Sequence, residues 1–122
     1  MAEGISRTSA NPLVGARDVK GTDVYNSLGQ KLGSVVEIMI DKISGRVVYA
    51  IMSFGGFLGM GEQHHPLPWS VLKYDSSQGG YVVDLDKHML EAAPNYAASE
   101  EVGWTADYGR RVDDYYKAPS YW

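Results

Sequence analysis

Residues 54–62 read Phe54-Gly55-Gly56-Phe57-Leu58-Gly59-Met60-Gly61-Glu62, and Pro66-Leu67-Pro68-Trp69 follows shortly afterwards. The glycines permit sharp backbone turns, whereas Phe57, Leu58 and Met60 place large apolar side chains in a segment too irregular for a strand. Leaving such a side chain exposed forgoes about 1.5 to 3 kcal/mol. We therefore expect this loop to be covered, by a partner or by another part of the chain.

Strand-like runs separated by turn signals lie on both sides of the loop. Their short spacing is typical of an antiparallel barrel or sandwich. Six strands are predicted, at residues 23–25, 31–40, 46–54, 65–67, 71–74 and 81–85. A corner is expected at Pro68-Trp69-Ser70, because proline cannot donate a ladder hydrogen bond.

The period of two assigns the central strands a core face and an outer face. The predicted core face consists of Val36, Ile38, Ile40, Val48, Ala50 and Met52. The opposite face of the strand at 46–54 is also apolar and carries Val47, Tyr49 and Ile51. An apolar outer face must be covered, so these three residues are candidates for a contact surface.

The C-terminal third of the chain changes character. Good helix formers at 87–93 follow a possible cap at Asp86 and stop at Pro94, which predicts a short helix. Aromatic and apolar residues then recur at intervals of three to four, at Trp104, Tyr108, Val112 and Tyr115 or Tyr116. This spacing predicts a helix with an aromatic face after the start signal Ser99-Glu100-Glu101. The face can pack on the same chain or on a partner, and the pattern alone leaves both open.

Composition limits the classes of protein to consider. A length of 122 residues suits one domain, and 44% hydrophobic with 21% charged residues is ordinary for a globular protein. A net charge of -4 does not favour direct binding to nucleic acid. There is no cysteine, no secretory signal and no apolar run long enough to span a bilayer. We therefore expect a cytoplasmic protein without an integral membrane segment.

Candidate reactive residues do not assemble into a known catalytic or metal-binding pattern. His64 and His65 are adjacent, so in a strand they point to opposite faces and cannot easily share a metal ion. The glycine loop lacks the lysine and hydroxyl ending of a phosphate-binding loop. The acidic pair Asp113 and Asp114 is interpreted as a surface feature, as is the pair Asp84 and Asp86. No enzyme activity, metal or cofactor is predicted.

Several motifs together resemble the PRC-barrel family. They are Gly21-Thr22-Asp23-Val24-Tyr25, Gly33-Ser34-Val35, Tyr49-Ala50-Ile51, the glycine loop and Pro68-Trp69-Ser70-Val71-Leu72. The resemblance implies an all-β fold, a small antiparallel six-stranded barrel with a short helix and an aromatic C-terminal extension. The predicted boundaries are a flexible arm at 1–12, the barrel at 13–93 and the extension at 94–122.

The family is a set of interaction domains without common catalytic residues, so the resemblance implies a non-catalytic protein-protein interaction module. A homodimer is favoured over packing of the extension in cis. The predicted contact residues are Val47, Tyr49, Ile51, Phe57, Leu58, Met60, Trp104, Tyr108, Tyr115 and Trp122. Two alternatives follow from family members, the cytoplasmic domain of the photosynthetic reaction centre H subunit and a ribosome maturation factor. They are docking on a photosynthetic or other membrane complex, and binding to a ribosomal protein.

Overall fold

A computed structural model of the chain describes residues 12–54, 62–100 and 102–122. Phe57, Leu58 and Met60, which were predicted to contact a partner, lie outside these residues. The strands are β1 (Asp23–Asn26), β2 (Lys31–Ile40), β3 (Val47–Phe54), β4 (Gln63–Pro68), β5 (Lys73–Asp75), β6 (Gly80–Val83) and β7 (Tyr96–Ala97). The helices are α1 (Ala16–Val19), α2 (Lys87–Glu91) and α3 (Ala106–Tyr115), and a 3₁₀ turn covers Trp69–Val71.

The strands of the described residues form one seven-stranded sheet in the order β5-β6-β1-β2-β3-β4-β7. The prediction of six antiparallel strands is therefore wrong in two details. The additional strand, β7, pairs with β4 through only two residue pairs. In addition, β1 and β6 are parallel. The hairpin of β5 and β6 comes later in the chain, and its strand β6 pairs with the edge of β1 that is not paired with β2. The sheet does not close into a complete barrel in this part of the chain, because β5 and β7 remain at its two edges.

Two irregularities between β2 and β3 change the predicted core face. Val35 pairs with Met52 and Ile38 pairs with Ala50, so β2 has one extra residue, Val36. The next register shift leaves Val48 as the extra residue on β3. An extra residue reverses the alternation of faces, and both Val36 and Val48 are only half-buried.

The main core lies on the inner face of the sheet. Ala50 and Met52 are buried there as predicted, and Ile38 packs against them partly exposed. Ile40, predicted to be in the core, is 51% exposed at the end of β2. Val35, which was not among the predicted core residues, is buried. The core cluster contains Val19, Val24, Leu32, Val35, Ala50, Met52, Leu67, Tyr81, Val83 and Leu90.

Both predicted C-terminal helices form. The Asp86 carboxylate accepts a hydrogen bond from the Met89 amide at 2.8 Å, which caps α2 as expected. Helix α3 begins later than predicted, because the hydroxyl of Thr105 supplies the cap by accepting from the Tyr108 amide at 3.1 Å. The start signal at residues 99–101 therefore lies before the helix.

Candidate functional site

The outer face of β3 is covered by the chain itself. Tyr49 is 2% exposed and Ile51 is 0% exposed. The Trp104 ring stacks on the Tyr49 ring, with centroids 4.7 Å apart and planes inclined by 27°. Neither Tyr49 nor Ile51 is accessible in this arrangement, because the chain itself covers the face on which both residues lie.

A polar network holds the C-terminal residues against the same face. The Tyr49 hydroxyl donates to Asp113 Oδ1 at 2.9 Å and accepts from the Trp122 indole N–H at 2.9 Å. The amide of Tyr121 donates to Asp113 Oδ2 at 3.1 Å. We call residues 117–122 the strap, and Tyr49, Gly109 and Asp113 the seat.

Asp113 is buried at 1% exposure, so its interpretation as part of a surface pair with Asp114 is wrong. A buried carboxylate is costly unless its oxygens receive hydrogen bonds, and here both do. Burial raises the pKa of Tyr49, and the neighbouring Asp113 raises it further. Tyr49 is therefore a neutral hydroxyl that can donate to the carboxylate and accept from the indole together.

Gly109 makes room for the strap. A Cβ atom built on this residue would collide with the Trp122 indole, so the absence of a side chain on α3 forms the cavity for the ring. The strap begins at Lys117, whose φ is 55°. This left-handed conformation is unfavourable for residues other than glycine and lets the chain reverse after α3.

The strap also contacts the turn between β2 and β3. The Tyr121 hydroxyl donates to Asp41 Oδ2, and the Asp41 carboxylate accepts from the amides of Ile43 and Ser44. These hydrogen bonds lower the pKa of Asp41 to about 2. The hydrogen bond from the Ser44 amide has the largest effect, and that from the Tyr121 hydroxyl has the next largest. Asp41 therefore joins the turn to the strap as a carboxylate.

Apolar side chains surround this junction and remain exposed. Ile43 is 95% exposed and Ile40 is 51% exposed, while Tyr121 and Trp122 are each 38% exposed. We call these four residues the rim. Trp122 was predicted from the sequence to be a contact residue, whereas Ile43 and Tyr121 were not. An isoleucine inside the polar turn Asp41-Lys42-Ile43-Ser44-Gly45 was the sequence feature that could have indicated Ile43.

The other predicted contact residues that the structure describes are partly exposed, and the Trp104 and Tyr108 rings contact each other edge-on with centroids 5.3 Å apart. Val47, Trp104 and Tyr108 are half-buried, and the Arg111 guanidinium lies 5.8 Å from the centroid of the Tyr108 ring. Tyr115 donates from its hydroxyl to the carbonyl oxygen of Met89 at 2.6 Å, which ties α3 to α2.

The two adjacent histidines have different environments. His64 Nε2 lies 3.3 Å from Glu62 Oε2, at the partly open end of β4. His65 is buried, with its ring edge-on to Phe54, so the two adjacent histidines have their side chains in different environments. Burial lowers the pKa of His65, and the backbone of Leu90 and Gln63 opposes this shift. Within the described part of the chain, neither ring nitrogen has a partner in hydrogen-bond geometry.

Within residues 12–54, 62–100 and 102–122, no three His, Asp or Glu side chains are grouped so as to hold a metal ion. Among the helices that the structure describes, none is long and apolar enough to cross a bilayer.

The comparison with solved structures gives 34 matching chains. One is RimM of Pseudomonas aeruginosa, described as a 16S ribosomal RNA processing protein. It is 19% identical, with a TM-score of 0.39. The match covers 66% of this chain and 48% of that chain, so the chain spans about half the length of that protein. No curated protein sequence matches.

The model of the PRC-barrel domain matches residues 12–90. This segment contains β1 to β6, the 3₁₀ corner and most of α2, and thus nearly the whole sheet on which the strap is seated. The match extends over more than half of the 122 residues, and the chain therefore belongs to the PRC-barrel family.

Proposed function

We propose that this protein is a non-catalytic protein-binding module that acts as a symmetric homodimer through the rim. The observation that carries the proposal is the exposure of Ile40, Ile43, Tyr121 and Trp122 around one junction at Asp41. Aromatic residues that are partly exposed beside aliphatic ones are typical anchors of protein interfaces. A patch that meets its own copy across a two-fold axis is the commonest way to bury such a surface.

The distribution of charge supports the same role. Lys42 and Arg46 flank the apolar side chains in the turn, and both are exposed. Charged residues around an apolar centre are the usual anatomy of a protein interface. Two of the groups that could perform proton transfer are enclosed: His65 is buried, and both carboxylate oxygens of Asp113 are occupied by hydrogen bonds from the protein.

The experiment compares two double variants by analytical ultracentrifugation. Ile40→Asp with Ile43→Asp charges the rim, and we expect the dimer to dissociate at least about a hundredfold more readily, because a desolvated unpaired charge costs several kcal/mol at an interface. Val14→Asp with Leu28→Asp adds the same charge at exposed apolar residues elsewhere, at 58% and 82% exposure in the native protein. This control is expected to remain dimeric.

A protein that sediments as a monomer at about 100 μM, where even weak specific dimers associate, would contradict the homodimer. Equal dissociation in both double variants would show that net charge, rather than the rim, controls association. Unchanged thermal unfolding of both variants confirms that the sheet is intact, because all four substituted residues are exposed.

A further inference from the structure

The two edges of the sheet differ in their protection against another strand. At one edge, β4 carries Pro66 and Pro68 beyond its short pairing with β7, and proline has no backbone N–H to donate. At the other edge, β5 has no proline and consists of Lys73, Tyr74 and Asp75. In the described part of the chain, β5 pairs with β6 alone. An edge of this kind can accept a further strand.

The backbone of Tyr74 faces the free edge of β5. The carbonyl oxygen of Asp75 accepts hydrogen bonds from the amides of Gln78 at 3.2 Å and Gly79 at 2.9 Å, so the backbone of Asp75 is turned toward the hairpin with β6. Successive residues of a strand direct their backbone groups to opposite sides. The N–H and C=O groups of Tyr74 are therefore directed away from β6, where an added strand can pair with both.

The charged side chains of β5 are complementary to a second copy of the same strand. In an antiparallel pair centred on Tyr74, Lys73 of each copy lies opposite Asp75 of the other, and opposite charges directly across two strands attract. The Asp75 carboxylate is already held in place: Oδ1 accepts from the Ser77 amide at 2.9 Å and hydroxyl at 2.7 Å, and Oδ2 accepts from the Gln78 side-chain amide at 3.0 Å. Because each carboxylate oxygen has two lone pairs, Oδ2 can accept a further hydrogen bond from a lysine.

Tyr74 supplies an aromatic side chain at the centre of the same pair. It is 57% exposed, and its ring lies edge-on to the buried Tyr81 ring with centroids 5.4 Å apart. In an antiparallel pair centred on this residue, the two Tyr74 side chains lie directly opposite each other on one face of the joined sheet. Each ring then covers apolar surface of the other.

We propose that β5 pairs antiparallel with β5 of a second copy of this chain across a two-fold axis, so that two sheets join edge to edge. The pair combines hydrogen bonds between the two Tyr74 backbones, reciprocal ion pairs of Lys73 with Asp75, and the contact of the two Tyr74 rings. This surface is additional to the rim, with which it shares no residue, and it goes beyond the proposed homodimer. Because β5 has only three residues, the edge contact is weaker than the rim contact and forms at higher protein concentration. A molecule that uses both surfaces builds assemblies larger than a dimer.

Disulfide trapping tests the edge contact in the full-length chain, which has no cysteine of its own. Tyr74→Cys places two thiols opposite each other, where the Cα atoms of hydrogen-bonded partners lie about 5.5 Å apart, a separation that a disulfide can bridge. Val14→Cys is the matched control, because Val14 is 58% exposed and Tyr74 is 57% exposed. Under the same mild oxidation, Tyr74→Cys should form disulfide-linked dimers at least about tenfold faster. Equal rates in the two variants would refute the edge contact.

Charge reversal distinguishes antiparallel pairing from random collision. Lys73→Glu and Asp75→Lys are each combined with Tyr74→Cys, so that a pair of identical chains has like charges opposite each other. In an equal mixture, pairs of unlike chains regain opposite charges at both positions. Mass spectrometry should find the mixed disulfide at least about tenfold more abundant than either homodisulfide, because like charges directly opposite are destabilising. A mixed disulfide at its statistical share would refute the pairing of Lys73 with Asp75.

Lys73→Glu by itself avoids the turn that the Asp75 carboxylate holds, so it is informative even if Asp75→Lys does not fold. Lys87→Glu is its matched control, because it reverses the charge of an exposed lysine outside β5. In the Tyr74→Cys chain, Lys73→Glu should slow trapping at least about tenfold relative to Lys87→Glu. Equal trapping in the two variants would again contradict the ion pairs.

A last combination separates the edge contact from the rim. Ile40→Asp with Ile43→Asp, introduced into the Tyr74→Cys chain, should leave the rate of trapping unchanged, because neither isoleucine lies in β5. Loss of trapping in this combination would refute an edge contact that is independent of the rim. If trapping persists while the rim substitutions do not alter sedimentation of the protein, the edge contact is supported and the homodimer through the rim is contradicted.

Discussion

At the scale of single residues, burial decides what the polar side chains can do. Asp113 and Tyr49 stabilise the position of the strap because each satisfies the hydrogen-bonding needs of the other inside a closed site. Among the residues that the structure describes, His65 has no such partner: it is buried against Phe54, and neither ring nitrogen is within hydrogen-bond geometry of these residues. The ring is therefore stable as the neutral form and resists protonation.

This environment predicts acid sensitivity through His65. Its pKa in the folded protein is lowered from the usual 6.5, so the unfolded chain binds more protons as the pH falls below 6.5. The stabilising contribution is complete above pH 6.5 and is lost as the pH falls toward the folded-state pKa. The loss is at most about 1.4 kcal/mol for each pH unit.

Urea unfolding between pH 8 and pH 5.5 measures this dependence. His65→Phe should flatten it, because phenylalanine fills a similar space and does not titrate. His88→Gln is the matched control, because it removes an exposed imidazole instead of the buried one. A slope that is the same in native protein and His65→Phe would show that other groups cause the acid sensitivity.

At the scale of elements, two bulges rather than strict alternation determine which side of β2 faces the core. Val36 and Val48 are the extra residues, one on each strand of the longest hairpin. The extra residue Val36 reverses the alternation of β2, so Val35 before it and Ile38 after it both face the core. Ile40 lies at the exposed end of the strand.

A matched pair of alanine substitutions tests this register. Val35→Ala removes buried methyl groups and should lower the free energy of unfolding by about 2 kcal/mol. Ile40→Ala removes more carbon atoms from an exposed position and is expected to change it by less than about 0.5 kcal/mol. Chemical denaturation of both variants at low protein concentration measures the difference. A larger loss in Ile40→Ala would support the uninterrupted alternation predicted from the sequence.

At the scale of the whole molecule, residues 104–122 form a second layer on the outer face of β3, whereas Leu90 of α2 belongs to the inner core. Trp104 stacks on Tyr49, and the strap returns to the seat beyond α3. The inner core and this outer layer share β3, which therefore has apolar residues on both faces. We expect that no metal ion contributes to the stability of these two layers.

Metal removal is accordingly expected to leave the protein folded. Treatment with EDTA should not change the midpoint of thermal unfolding, because we predict that packing and hydrogen bonds, rather than metal ligands, hold the two layers together. The protein should be purified without a metal-affinity tag and its metal content measured. Stoichiometric zinc or iron that disappears in His64→Ala or His65→Ala would contradict this prediction.

Local patterns in the sequence were sufficient to determine the family, most strands, the cap at Asp86 and the short helix behind it, because these depend on neighbouring residues. The apolar outer face of β3 was also visible from its alternation, together with the need to cover it. The added strand β7 and the parallel pair of β1 and β6 were not visible, because they join segments far apart in the chain.

Only the tertiary structure decided what covers that face, and the aromatic spacing in the C-terminal third had left packing in cis and contact with a partner open. The chain reverses at Lys117 and brings Trp122 over Gly109, 13 positions earlier in the sequence and on another element. Tyr49, Asp113 and Trp122 are recognisable as one site only when β3, α3 and the strap have come together. Hydrogen bonding and burial depend on this three-dimensional proximity, which a pattern of residue types along the chain does not contain.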